Sequence, residues 1–389
     1  MRLITVWACV QEARAQNATW LPTPGTGDFN NGANWNTGMV PTGTAAFDTS
    51  TQTNITFSAG DTGTFVDALQ FNTGAPAYSF NVTSSSFLEI SGTGIVNNSS
   101  NRPTLVNTGP VLSNSANGGT FFLSGATAGN AVIINQSGGF TEFAANPGTA
   151  SATAGNATIT NNSGGTTFFV DASTAGNATI TTNSGSFTEF NDSSTASNAT
   201  LITNSGGFTI FQDTATGGSA RIITNAGGIF DISRTTLSGI TVGSIEGAGT
   251  YDLGSKVLTV GLNNSSTEVS GTIVDGGFGG GIRGSLIKVG TGTLTLSGTN
   301  TYSGGTTISA GTLQLGAGGA TGSIMGNVVD NGTLTFDRNN TVIFDGVISG
   351  TGNLTQIGSG NTILTANNTY SAGTTVSAGI LQVGNGNQR

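Results

Sequence analysis

Histidine is absent from this 389-residue sequence, which has a single cysteine and in which charged residues make up only 7%. The lack of histidine removes the commonest general base and metal ligand. Because Cys9 is the only cysteine, a disulfide within the chain and a cysteine-based zinc site are both excluded. Ten basic residues and a net charge of −9 do not provide the positive surface of a nucleic-acid-binding protein, so no nucleic-acid partner is expected.

Long apolar runs are also missing. No segment approaches the roughly 18 apolar residues of a transmembrane helix, and no window has a clear helical period. What the sequence does contain is 63 glycines, 21 phenylalanines and many Thr, Val, Ile, Ser and Asn residues. This composition predicts an all-β fold of short strands joined by tight turns.

The N-terminus has the features of a damaged secretory signal. Arg2 is followed by an apolar run from Leu3 to Val10 and by an A-x-A motif that ends at Ala15. Export is therefore the favoured interpretation of residues 1–15, and an incidental apolar N-terminus is the alternative.

Repeats of 21 residues fill the middle of the chain. The segments AGNATITNNSGG, AGNATITTNSGS, ASNATLITNSGG and GSARIITNAGG follow one another. Three columns recur at this step: Asn162, Asn183, Asn204 and Asn225; Ile159, Ile180, Leu201 and Ile222; and Phe169, Phe190, Phe211 and Ile232. Since no unit has enough apolar residues for its own core, we expect the units to stack as turns of a parallel β-helix. The Ile and Phe columns then point inward, and the Asn column forms a side-chain ladder.

The C-terminal part repeats in another register. The motifs GTLTL, GTLQL, GTLTF and GNLTQ recur at intervals of about one turn, from Gly292 to Gly352. The longer unit that starts at Leu286 returns at Leu354, a step of 68 that we interpret as three turns plus one enlarged loop. One continuous solenoid is the simplest arrangement for both kinds of repeat.

The segment VGTGTLTLSGTNTYSGGTTISAGTLQLG resembles the passenger-associated β-strand repeat of bacterial autotransporters, and the likeness covers about residues 240–386. This resemblance implies a right-handed parallel β-helix that is exported to the cell surface through a C-terminal transmembrane β-barrel. No run of alternating strands that could form such a barrel precedes Arg389. We therefore expect a passenger that lacks its translocator barrel. Any association with the outer membrane is then expected to depend on that missing translocator domain.

Four regions are predicted. They are the signal-like segment 1–15, an N-terminal capping β region 16–120, the 21-residue repeats 121–239, and the autotransporter-associated repeats 240–389.

Aromatic residues of the second region are expected to cover the open edge of the first turn. Trp20, Phe29 and Trp35 are the predicted plug, and a sugar-stacking platform is the alternative. The nearby motif DFNNGANW, with Asp28 and its asparagines, has a faint likeness to a calcium loop but only one carboxylate.

Asp171, Asp192 and Asp213 occupy one position in successive 21-residue units and are the best cluster of acidic residues. Turn formation is the favoured interpretation, because Asp is a common turn residue. Calcium binding and catalysis are the alternatives, so the three aspartates are candidate metal ligands. Arg234 follows at the same step, and we expect it to lie beside Asp213 and offset the repulsion.

Two further pairs are interpreted as structural. Glu142 and Glu189 share an F-T-E-F motif, but Ile210 replaces the acid in the next unit, so we predict solvent-facing strand positions. Tyr302 and Tyr370 occupy equivalent positions in the long repeats and are predicted to pack in enlarged loops.

The predicted function is that of a non-enzymatic, exported passenger, either extracellular or at the bacterial cell surface. As a stiff rod it would present Thr, Ser and Asn ladders to host surfaces, other cells or polysaccharide. Adhesion is an expectation from the resemblance, and no cofactor or catalytic residue is assigned. The alternatives are a β-helical carbohydrate-active enzyme, of the polysaccharide lyase or hydrolase type, and a truncated gene fragment.

Overall fold

The computed structural model describes residues 15–58, 63–109, 118–146 and 148–384. The predicted signal segment, with Cys9, lies outside these residues except for Ala15. The described part of the chain is all-β, and its only helical element is a 3-10 turn at Gly32–Asn34. No helix in these segments has the length and apolarity needed to cross a bilayer.

The strands belong to two compact units, which divide between Thr195 and Ala196. The strands of the first unit are β1 (Ala18–Thr19), β2 (Thr44–Phe47), β3 (Asn54–Thr56), β4 (Thr64–Phe71), β5 (Ser79–Val82), β6 (Phe87–Asn97), β7 (Thr104–Thr108), β8 (Gly119–Phe122), β9 (Val132–Gln136), β10 (Phe140–Phe143), β11 (Thr158–Asn161), β12 (Thr166–Phe169), β13 (Thr179–Thr182) and β14 (Phe187–Phe190).

The strands of the second unit are β15 (Thr200–Thr203), β16 (Phe208–Asp213), β17 (Arg221–Thr224), β18 (Ile229–Thr235), β19 (Gly239–Val242), β20 (Ser244–Glu246), β21 (Thr250–Asp252), β22 (Val257–Val260), β23 (Thr267–Val269), β24 (Thr272–Val274), β25 (Ser285–Lys288), β26 (Thr293–Leu296), β27 (Thr306–Ile308), β28 (Thr312–Leu315), β29 (Val328–Asp330), β30 (Thr333–Phe336), β31 (Val342–Phe344), β32 (Ile348–Ser349), β33 (Asn353–Gln356), β34 (Asn361–Leu364), β35 (Thr374–Val376) and β36 (Ile380–Val383).

Parallel pairing between successive turns makes each unit a β-solenoid, as the repeats predicted. In the first unit, one sheet has the order β1-β2-β4-β6-β8-β10-β12-β14 and is called the β1 sheet here. The other has the order β3-β5-β7-β9-β11-β13 and is called the β3 sheet. Ile133, Ile159 and Ile180 lie in register in the β3 sheet and are buried, which confirms the predicted inward column.

The second unit stacks its strands in the same way. The orders within it are β16-β18-β21-β24, β15-β17-β20, β19-β22-β25-β27-β29-β32, β23-β26-β28-β30-β33-β35 and β31-β34-β36. The leucines of the GTLTL-type motifs, Leu294, Leu313, Leu334 and Leu354, are paired in one buried row. This row confirms the turn length predicted from the motifs.

The inward phenylalanines of the first unit form one stack. Ring centroids of Phe122 and Phe143, of Phe143 and Phe169, and of Phe169 and Phe190 lie 4.9, 4.9 and 4.7 Å apart, with interplanar angles of 11°, 7° and 5°. This spacing equals the strand separation of about 4.8 Å, since identical residues in successive turns must lie directly above one another. The predicted inward Phe column is confirmed for Phe169 and Phe190, and it extends back through Phe143 to Phe122, two turns before Phe169.

A buried amide ladder, which the sequence analysis missed, runs beside this stack. The side-chain amide of Asn107 donates to the Oδ1 of Asn135, and that of Asn135 donates to the Oδ1 of Asn161, both at 2.8 Å. The hydroxyls of Thr141 and Thr167 donate to the Oδ1 of Asn135 and Asn161, respectively, at 2.9 Å. All these side chains are fully buried. An amide fits such a column because it both donates and accepts, so each turn satisfies the next.

The predicted Asn ladder lies in a more exposed position. Asn183 donates to Asn162 in the first unit, and Asn225 donates to Asn204 in the second, both at 2.7 Å. These two bonds confirm the ladder within each unit.

Aromatic residues close the start of the first unit, as predicted. Trp20, Phe29 and Trp35 are at most 2% exposed. Trp35 contacts Trp20 at 5.0 Å, Phe29 at 4.8 Å and the first core residue, Phe47, at 5.7 Å between ring centroids. Their faces pack on one another and on the first turn, which is the arrangement of a cap and not that of a sugar platform.

The step of 68 has a different cause from the one predicted. Leu286 in β25 is followed in its own sheet by strands that end at Ile348–Ser349, whereas Leu354 lies in β33, which belongs to another sheet. In both copies the first strand pairs with the third and the second with the fourth. The enlarged-loop interpretation is therefore wrong: the second copy is displaced by three turns and one face. The repeat therefore specifies the order of its strands and corners, and this order can be accommodated in either of the two sheets.

The inner amide ladder yields a stability prediction. Replacing Asn135 with Ala leaves buried donors and acceptors unpaired in both neighbouring turns, so we expect a loss of about 2–4 kcal/mol in the free energy of unfolding. Replacing Asn162 with Ala in the outer ladder, where water can substitute, is the matched control and should cost under about 1 kcal/mol. Urea denaturation followed by circular dichroism measures both losses, and equal losses would contradict the assigned role of the inner ladder.

Candidate functional site

The aspartate column lies at the corners of the turns. Asp171 and Asp192 have left-handed backbone conformations, with φ of 54° and 51°. The Oδ2 of Asp171 accepts the backbone N–H of Ala145 at 3.3 Å, and the Oδ2 of Asp192 accepts that of Asp171 at 3.2 Å. Each carboxylate thus caps an amide in the preceding turn, which is the chemistry of a turn residue.

In the second unit, Asp213 has the same left-handed conformation, with φ of 53°. Arg234 pairs with Gln212, and Asp213 pairs with Thr235, because the strand register shifts between Ile210 and Gln212. The expectation that Arg234 lies beside Asp213 is therefore wrong.

Arg234 has another neighbour. Its guanidinium carbon lies 5.1 Å from the ring centroid of Phe278, which places the cation over an aromatic face. In the described segments no group of three or more His, Cys, Asp or Glu side chains is placed to hold a metal ion. Calcium binding by the aspartate column stays a hypothesis.

The other acidic candidate in the cap is used to fold its loop. The Oδ1 of Asp28 accepts the backbone N–H of Asn30 and of Ser58, both at 3.0 Å. The side-chain amide of Asn34 donates to the hydroxyl of Thr26 and to the carbonyl of Asp28, both at 2.8 Å. These bonds tie the loop to itself and to the strand that follows.

Adjacent carboxylates also occur in the second unit, where Asp231 and Asp252 pair in register. Asp231 accepts the backbone N–H groups of Ser233 and Phe278, both at 2.7 Å, and so anchors a glycine-rich loop. Burial, together with the charge of Asp231, raises the pKa of Asp252 to about 6. Asp231 thus holds the loop in place.

A stripe of outward-facing side chains on the β1 sheet is the most distinctive surface of the first unit. It consists of Phe65, Phe87, Glu89, Phe121, Phe140, Glu142, Phe168, Phe187 and Glu189, and is called the Phe/Glu stripe here. Pairing in register places Phe65, Glu89, Phe121, Glu142, Phe168 and Glu189 in one column, with one residue from each turn. Phenyl rings and carboxylates therefore alternate along the column.

A second column, two residues earlier in each strand, is complementary to the first. Phe140 pairs with Gly119 on one side and with Thr166 on the other, and Thr166 pairs with Phe187. A turn that has Glu in the first column thus has Phe in the second, and a turn that has Phe in the first column has a small residue in the second. Each turn contributes one ring, and the pattern repeats every two turns.

The rings of the two columns brace one another. Centroids of Phe65 and Phe87, of Phe87 and Phe121, and of Phe121 and Phe140 are 5.4, 5.8 and 5.2 Å apart, all in edge-to-face geometry. A Cβ on Gly119 would collide with the ring of Phe140, so glycine provides the space over which this ring lies. Rings held in this way lose little conformational freedom on contact with a ligand.

The carboxylates of the stripe are half-buried between rings. Burial raises the pKa of Glu89, and burial together with the charge of Asp171 raises that of Glu142 to about 7. Within the described segments, the carboxylates of Glu89 and Glu142 form no ion pair and accept no hydrogen bond. Half-burying an acceptor without a partner costs free energy, and a ligand donor can recover that cost.

Only a part of this stripe is evident from the sequence spacing. The F-T-E-F motifs of Glu142 and Glu189 predict solvent-facing positions, and these residues do face outward but are half-buried. The missed signal was the alternation of G-T-F-F, F-T-E-F, T-T-F-F and F-T-E-F in successive turns. Tyr302, predicted to pack, is fully buried, and its hydroxyl lies 2.6 Å from that of Thr306. Its counterpart Tyr370 is half-buried and makes the same contact with Thr374 at 2.7 Å.

A polar side chain at one corner recurs in the long repeats. The ammonium group of Lys288, which is 1% exposed, donates to the carbonyls of Val289, Gly290 and Ala310 at 2.7, 3.0 and 3.3 Å. Gln356 occupies the equivalent position in the second copy, and its amide donates to the carbonyl of Gly358 at 2.8 Å. Burial lowers the pKa of Lys288. Both side chains satisfy carbonyls of the corner that follows.

Residues 286–315 and 354–383 match the family model of the passenger-associated transport repeat. No curated protein and no solved structure matches the chain. The repeats and the β-solenoid fit an autotransporter passenger, as the resemblance predicted, and this repeat family implies export or a cell-surface location.

Glu142 is expected to make stability depend on pH. Its pKa is raised from 4.5 to about 7 in the folded chain, which therefore binds the proton more tightly than the unfolded chain between these values. Stability falls as the pH rises through this window, and Glu142→Gln should remove that part of the fall. Urea denaturation at about pH 5 and about pH 8 measures the difference. A wild-type slope that persists in Glu142→Gln would refute the assignment.

Lys288 gives a test of the repeated corner. Lys288→Met should lower the free energy of unfolding by about 2–4 kcal/mol, because buried carbonyls lose their donor. Lys288→Gln should recover more than half of this loss, since Gln356 makes an equivalent bond in the second copy. Denaturation curves give the free energy of unfolding of both variants. Equal losses of this free energy would show that an amide donor cannot replace the ammonium group of Lys288, which would contradict the prediction.

Proposed function

We propose that this passenger acts at the bacterial surface as a non-enzymatic adhesion or surface-structure protein. The observation that carries the proposal is the presence of the matched transport repeats inside a β-solenoid. Stacked turns display outward residues at equivalent positions with a fixed spacing of about 4.8 Å, which suits contact with a repetitive partner.

The outer surface supports an adhesive role. Outward positions of the β3 sheet hold uncharged residues such as Thr160 and Thr181, which lie in register, and the β1 sheet holds the Phe/Glu stripe. Such a surface offers weak contacts that are repeated many times, and multivalent binding can be tight although each contact is weak.

Three aspartates described above, Asp171, Asp192 and Asp231, support a non-enzymatic role. Asp171 and Asp192 each cap a backbone amide with Oδ2, and both carboxylate oxygens of Asp231 accept backbone N–H groups, so these atoms already serve the fold. A hydrolase or lyase needs a carboxylate or base within reach of its substrate. We therefore place a carbohydrate-active enzyme second.

Adhesion and catalysis are separated by one pair of measurements. Beads coated with the full chain should attach to cells or matrix polysaccharide, whereas beads coated with the heat-unfolded chain should not, because the outward rows exist only in the folded solenoid. The same protein, incubated with soluble polysaccharides, should release no reducing ends and no unsaturated sugars. Enzymatic release of either product, or attachment by both kinds of bead alike, would count against the proposal.

A further inference from the structure

The period of the Phe/Glu stripe is two turns, although the period of the fold is one turn. Phe121 and Phe168 lie two turns apart in the first column, and Glu142 lies between them. A partner that follows the stripe must therefore have a repeat of its own of about 10 Å, twice the strand spacing. In an extended β-1,4-linked glycan, successive sugar rings are flipped, so the repeating unit is the disaccharide, which has this length.

The chemistry of the stripe selects among such glycans. Each two-turn repeat presents phenyl rings and one half-buried carboxylate on the same face. An N-acetylglucosamine unit offers an N–H donor for the carboxylate and a methyl group and C–H face for the rings. Because of the flip, acetamido groups emerge on a given edge of the glycan once per disaccharide, and the stripe has one glutamate per two turns.

We propose that the Phe/Glu stripe binds an extended chain of β-1,4-linked N-acetylglucosamine along the direction of stacking. Sugar faces and acetamido methyl groups pack on the exposed parts of Phe65, Phe121 and Phe168. Glu89 and Glu142 accept hydrogen bonds from the sugar, which supplies the donors that the described chain does not. The inference rests on the proposed adhesive function and names its ligand class.

The described strands of the β3 sheet lack this combination on the outward row that runs beside the Ile column. In the β3 sheet, the outward row that includes Ile134, Thr160 and Thr181 contains no carboxylate and no ring. The ring pairs of the stripe are already braced edge-to-face, so binding requires little rearrangement. A preformed apolar surface with few, regularly placed acceptors is typical of ligand sites.

The test is retention of the purified full chain on insoluble polysaccharides. Chitin, the β-1,4-linked N-acetylglucosamine polymer, should retain the protein. Cellulose, which has the same linkage without acetamido groups, and amylose, which is α-linked, should not. The soluble hexamer of β-1,4-linked N-acetylglucosamine should release the bound protein, because it competes for the stripe.

Three variants locate the site. The double variant Phe121→Thr, Phe168→Thr should weaken binding by at least about tenfold, because two apolar contacts are lost. Glu142→Gln should weaken it several-fold, since a charge-assisted hydrogen bond becomes a neutral one. Ile134→Thr is the matched control: it makes the same apolar-to-Thr change on the β3 sheet, where the paired residue is Thr160, and should bind like the wild type. Circular dichroism checks that each variant is folded.

The proposal is overturned if chitin retains no more protein than amylose, or if cellulose retains as much as chitin. Wild-type binding by both the Phe double variant and Glu142→Gln would also overturn it, and the Glu142 variant decides the matter if the double variant does not fold. The outcomes for adhesion are separate. If coated beads attach to cells but the protein is not retained on chitin, only this ligand is rejected. If the protein binds chitin but coated beads do not attach to cells, only the adhesive role is rejected.

Discussion

Parallel stacking of turns is the constraint on which the rest of this structure depends. Each residue lies about 4.8 Å from its counterpart in the turn before and in the turn after, so every side chain must be compatible with the residue at the same position of each neighbouring turn, which in the regular repeats is often of the same type. Phenyl rings meet this condition by face-to-face stacking, and amides meet it because they donate and accept. Like charges repel at this distance, which is consistent with a sequence that has only 7% charged residues, and the stacked Asp171 and Asp192 each accept a backbone amide.

The same constraint explains how the stripe accommodates acid. Glu89, Glu142 and Glu189 are separated by turns that have Phe in the same position, so no two glutamates of this column are adjacent. Half-burial between rings still raises the pKa of Glu142 to about 7. At a small number of surface positions, ionised carboxylates are thus held in an environment that disfavours their charge. Such positions are expected where a surface binds a partner.

The fold was predictable from the sequence because self-stacking leaves a direct trace: Ile159 and Ile180, 21 residues apart, are paired in the structure. The Phe/Glu stripe was harder to find, since its two-turn period becomes visible only when the strands are aligned on their pairing register. Arg234 was placed wrongly because a single register shift after Ile210 moves all later residues of the strand by one position. The number of residues per turn follows from sequence spacing, whereas a local bulge depends on packing.

The displacement of the two long repeats shows how such a chain can be lengthened. Leu286 and Leu354 hold the same place in their repeats but lie in different sheets. A duplicated segment therefore does not have to comprise a whole number of turns: it has to comprise whole strands with their corners. Gene duplication can then extend this protein in increments of one strand, and the sequence can drift in phase around the coil without loss of its core.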